Sequence, residues 1–104
     1  MHYSAVLGGP IDQTVVLGET ASFTCAASGS GSLVFILSHE TQGILTVNEE
    51  VSLNAEVTNS TLTVANVSIK SSGMYWCNVI GEGKNIRSPS GVVTVQGEQS
   101  YNFI

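Results

Sequence analysis

The feature that most constrains this chain is a succession of eight short runs rich in Val, Ile, Thr, Phe and Leu, separated by turn residues. They are QTVVL (13–17), TASFTCA (20–26), LVFILSH (33–39), GILTV (43–47), VSLNAEV (51–57), STLTVA (60–65), MYWCNVI (74–80) and SGVVTVQ (90–96). Gly18, SGSGS (28–32), TQG (41–43), TN (58–59), KSSG (70–73) and GEG (81–83) break them. β-Branched and aromatic side chains suit a pleated, half-buried surface, whereas Gly, Ser and Asn suit tight turns. No segment keeps a helical period over three turns. Strands at roughly 8–12-residue spacing predict an all-β sandwich or barrel. The 104 residues suffice for one core and not for two.

Side chains two apart on a strand share a face. Phe23 and Cys25 share one side of the second run; Val34 and Ile36 share one side of the third, with Phe35, Leu37 and His39 on the other. In the seventh run Tyr75, Cys77 and Val79 oppose Met74, Trp76, Asn78 and Ile80. The two cysteines read either as a structural pair or as free thiols. If they bridge two layers, their side faces the core and Trp76, the chain's only tryptophan, faces out.

The stretch LTVANVSIKSSGMYWC (62–77) is a strand, a turn, and a strand with Tyr two residues before Cys. It resembles the corner motif of the immunoglobulin superfamily. VVLGETASFTC (15–25) is similar to the family strand with the first cysteine, and GVVTV (91–95) to its last strand. The resemblance implies an immunoglobulin-like Greek-key β-sandwich of two antiparallel sheets. It implies a disulfide between Cys25 and Cys77, and a Tyr75 ring that is buried while its hydroxyl caps backbone at the corner. The cysteines lie 52 residues apart (77 − 25), which suits an I-set or C2-set domain and argues against an antigen-receptor variable domain. The domain is expected to span residues 10–96, between an N-terminal segment (1–9) and a C-terminal tail or linker (97–104). Two departures stand out. The family's corner aspartate is a serine here, and no arginine precedes the fourth or fifth strand to pair with it. Its third-strand tryptophan is replaced by Ile36, which is expected at the centre of the core.

By parity, the sheet holding the third, seventh and last strands is expected to show Phe35, Leu37, Trp76, Ile80 and Val92 outward. A contiguous apolar patch with an aromatic centre is what an interaction surface looks like. The resemblance implies an extracellular recognition or adhesion module of a cell-surface or secreted receptor. Its partner would be a protein, which could be a second copy of itself, and a membrane anchor, where the parent is not secreted, would lie outside this chain. The competing reading is a spacer domain in a multidomain rod. An intracellular muscle-type repeat is disfavoured by the paired cysteines and the low charge content. Asn59 and Asn66 open the sequons NST and NVS and are candidate glycan acceptors.

Other chemistry is argued against. Eight acids against Lys70, Lys84 and Arg87 leave a net charge of −5, the wrong sign for nucleic acid or an anionic bilayer. No apolar run approaches the roughly 20 residues of a membrane span. The opening MHYSAVLGGP lacks the basic start and apolar run of a signal peptide, so the chain reads as a piece of a longer protein. GEGKN (81–85) lacks the spacing of a phosphate loop and reads as a hairpin tip. His39-Glu40 reads as a solvated turn rather than a general-base pair. Glu49-Glu50 lacks a further acid at ligand spacing, and two Cys with two His form no zinc pattern. No enzyme, metal or cofactor is expected.

Overall fold

A computed structural model gives the fold and describes residues 3–29, 31–52 and 57–97. Among these, nine strands form two sheets: β1 (Tyr3–Gly8), β2 (Gln13–Val16), β3 (Ala21–Gly29), β4 (Gly31–His39), β5 (Gly43–Ser52), β6 (Val57–Val64), β7 (Gly73–Gly81), β8 (Lys84–Arg87) and β9 (Gly91–Gln96). The first sheet has the order β1-β3-β6. The second has the order β2-β9-β7-β4-β5, with β8 also pairing β7. All pairings are antiparallel except β2 with β9, which is parallel.

The core forms where alternating residues of the two sheets meet. Phe23, Cys25 and Leu62 of the first sheet face Leu33, Phe35, Leu37, Tyr75, Cys77, Val79 and Val93 of the second, all nearly inaccessible to solvent. The Cys25–Cys77 disulfide joins β3 to β7 with the Cα atoms 6.6 Å apart. Beside it, Phe23 stacks on Tyr75 with ring centroids 4.6 Å apart.

Three segments differ from the sequence reading. Tyr3–Gly8, expected to precede the domain, is a strand paired with β3. The runs at 43–47 and 51–57 are not two strands: Gly43–Ser52 is continuous, Val57 opens β6, and residues 53–56 lie outside those described. The pair Glu49-Glu50 looks like a break in sequence, yet the alternation passes through it. Glu49 shares a face with Val47 and Val51, while Glu50 turns inward, where its Oε2 accepts from Ser60 Oγ at 3.0 Å. The two carboxylates therefore point to opposite sides of β5. The third segment is KNIR, a polar strand (β8) joined to β7 by the two-residue turn Glu82-Gly83. Both turn residues have positive φ (49° and 77°), as a tight hairpin requires.

The corner before β7, which lacks the family's ion pair, is held by side-chain hydrogen bonds to the backbone. The inward alternation of Phe35 and Leu37 continues to His39, opposite Tyr75 on β7, so His39 is 2% exposed rather than in a solvated turn. Its Nε2–H donates to the Ser72 carbonyl at 2.7 Å, while Nδ1 accepts from the Thr41 and Gln42 backbone N–H groups. Gly73, at φ 126°, passes so close that a Cβ would stand 2.8 Å from Glu40 Oε1.

Tyr75 is buried as the corner motif implied, and its hydroxyl donates to the Ser71 carbonyl. Burial raises its pKa above the ordinary 10.0. Above that pH an unfolded chain releases the phenolic proton while the native state retains it, so stability falls as pH rises further. Thermal melts between about pH 8 and 11 should show this decline. Tyr75→Phe should flatten it at a cost near 1 kcal/mol for the lost hydrogen bond. An unchanged alkaline slope in that variant would assign the decline to other groups.

Candidate functional site

The outer face of the second sheet is built by cross-strand register. One row crosses β5, β4, β7 and β8 as Val47, Ile36, Asn78 and Arg87; the next runs Glu49, Val34, Ile80 and Asn85. Trp76 follows on β7, beside Ser38, and Met74 pairs with Val92 at the β9 side. Val47, Val51 and Val92 are 56%, 66% and 48% exposed, while Val34, Ile36, Trp76 and Ile80 are half-buried. Single exposed valines are ordinary, but a contiguous apolar field on a regular sheet is not.

Polar groups hold this field in shape. Arg87, the only arginine, lays its guanidinium carbon 3.9 Å from the centre of the Trp76 ring. Stacking of this kind orders both side chains while leaving the N–H donors of the guanidinium available. Asn78 Nδ2 donates to Asn85 Oδ1 at 3.0 Å, and Ser32 Oγ donates to the Glu49 carboxylate at the far edge. Among the described residues, no three His, Cys, Asp or Glu side chains stand close enough to hold a metal ion.

The outer face of the first sheet has a different character. Its outward pairs between β3 and β6 are Ser22–Thr63, Thr24–Thr61, Ala26–Asn59 and Ser28–Val57, small and mostly hydroxylated apart from the exposed Val57. Asn59 is exposed there, opposite the apolar face. Asn66 is exposed just beyond β6, with φ 55°.

Of the residues expected on the apolar face, Trp76, Ile80 and Val92 lie there. Phe35 and Leu37 do not: both are fully buried. Ile36, expected in the core, is the one that faces out. The cause is register. Leu37 lies opposite Cys77 and Phe35 opposite Val79, and cross-strand partners share a face. The family spacing matches Ile36 to the core tryptophan, but a one-residue offset inverts every side chain on the strand. Sequence reading also missed Val47, Val51 and Arg87. The first two were hidden by splitting β5, although the alternation through TVNEEV carried the signal. Arg87 sits on a strand too polar to register as one.

A family model described as immunoglobulin domain matches residues 6–80. No curated protein matches the chain in sequence. Among solved structures, a chimeric titin Z1Z2 carrying a decorin peptide is similar at 20% identity and TM-score 0.66, covering 94% of this chain and 100% of that one. The RIG-5 IG1 homodimer is similar at 18% identity and TM-score 0.66, over 92% and 99%. Extracellular domains 3–5 of Drosophila OTK align at 18% identity and TM-score 0.64, over 88% of this chain and 35% of that one. At such identities the likeness is one of fold.

Proposed function

The chain belongs to the immunoglobulin domain family, and from that premise we propose that it is a recognition module binding a protein partner through the outer face of its second sheet. One observation carries the reading: the apolar field of Val34, Ile36, Val47, Trp76, Ile80 and Val92 is organised around a stacked Trp–Arg pair. Trp and Arg are the residue types most enriched where binding energy concentrates, and charged groups other than Arg are depleted there. Among the described residues, the hydroxyl-rich outer face of the first sheet offers no comparable feature. A disulfide in the core fits an oxidising compartment, so the proposed setting is extracellular, in a secreted or membrane-anchored parent. Glycans on Asn59 or Asn66 would leave the apolar face bare.

The test is direct. Oligomerised domain is presented to a panel of cell-surface ectodomains, itself included. Trp76→Ala should weaken whatever binding is found by about tenfold or more, with the melting temperature nearly unchanged, because the ring contributes to the face rather than the core. Thr24→Glu on the opposite sheet should leave binding intact. Loss with Thr24→Glu and none with Trp76→Ala would move the site to the first sheet. A panel with no binder at all would favour the spacer reading.

A further inference from the structure

We propose that the occupant of this face is a second copy of the same chain, docked about a two-fold axis that brings Glu49 of each copy to Arg87 of the other. The proposal rests on the reading of the apolar face as a binding surface and names its partner.

The face has two unlike edges. β5 contributes Glu49, and β8, on the far side of β4 and β7, contributes Arg87. Between them lie Val34 and Ile36 on β4 and Asn78 and Ile80 on β7. Two such faces can pack isologously only about an axis lying in the plane of contact. An axis passing between β4 and β7, through that quartet, lays the β5 edge of one copy over the β8 edge of the other. Because Glu49 and Arg87 stand one row apart, the axis tilts from the strand direction and the two sheets cross obliquely. Both charge pairs then form by symmetry, and the apolar centre closes on its own image.

The charge pattern is specific enough to carry this. The chain has eight acids and three basic residues, so a random face would be acidic and would repel its copy. Instead the sole arginine is held on this face by Trp76, and among the described residues no carboxylate pairs with it. Glu49 is likewise held upright by Ser32. A cation without an anion at one edge and an anion without a cation at the other form a self-complementary pair under the two-fold. An axis that laid β5 on β5 would keep Glu49 and Arg87 at opposite edges and form neither pair.

Sedimentation velocity over a concentration series tests it. The wild-type chain should dimerise reversibly, with affinity falling as salt rises. Glu49→Lys and Arg87→Glu should each weaken the dimer by about tenfold or more, because each single variant sets like charges against each other twice. An equimolar mixture of the two variants should associate again. In the mixed pair the introduced lysine meets the introduced glutamate at one contact, and the native Glu49 meets the native Arg87 at the other. Thermal melts of each variant check that it is folded. A wild-type chain that stays monomeric up to about 1 mM overturns the proposal. So does a dimer indifferent to both substitutions, or a mixture that fails to recover. In each case heterophilic binding lost through Trp76→Ala would still support the face, so the two readings fail separately.

Discussion

Replacing both Cys25 and Cys77 by alanine should remove about 4 kcal/mol of stability. The bond closes a loop of 52 residues, and in the chain-entropy model a loop of that length restricts the unfolded ensemble by about this amount. A domain of this size has roughly 5–15 kcal/mol in total, so the variant would sit at the edge of folding at physiological temperature. The packing argument points the same way. Both sulfurs lie at the centre of the core, among Phe23, Leu37, Tyr75 and Val79. Urea denaturation of the oxidised chain against the double variant measures the difference. A loss below about 1 kcal/mol would mean that packing alone holds the sheets together and that the disulfide is incidental.

Phe35→Ala should cost about 3–5 kcal/mol, and Ile36→Ala roughly 1 kcal/mol or less, although the two residues are neighbours on one strand. Phe35 is fully buried opposite Val79, and its removal leaves a cavity between the sheets. Ile36 faces outward between Val47 and Asn78 and leaves no enclosed void. The same pair of variants should behave in reverse in a binding assay. Ile36→Ala should weaken partner binding, while Phe35→Ala should act only by unfolding the domain. Equal destabilisation by both would show that the register of β4 against β7 is wrong. Chemical denaturation together with binding at a temperature where both variants are folded decides it.

The contrast between these neighbours marks the limit of what local pattern can say. The alternating runs and their turn residues determined an all-β chain, because period-two burial and turn chemistry act over a few residues at a time. The block from Leu62 to Cys77 determined the corner, the buried Tyr75 and the half of the sandwich that Cys77 occupies, since its residues restrain one another through short-range geometry. Trp76 could be placed outward for the same reason: it is locked to Cys77 by one step along a strand. Nothing local tied β4 to that frame. Which of Phe35 or Ile36 faces inward depends on pairing with β7, some forty residues away, and a slip of one residue is invisible in the sequence of either strand. The continuity of β5, the burial of His39 and the placing of Glu49 and Arg87 at opposite edges of one face were likewise decided by tertiary structure. Each depends on which strands become neighbours, and that is settled only when the two sheets close over a common core.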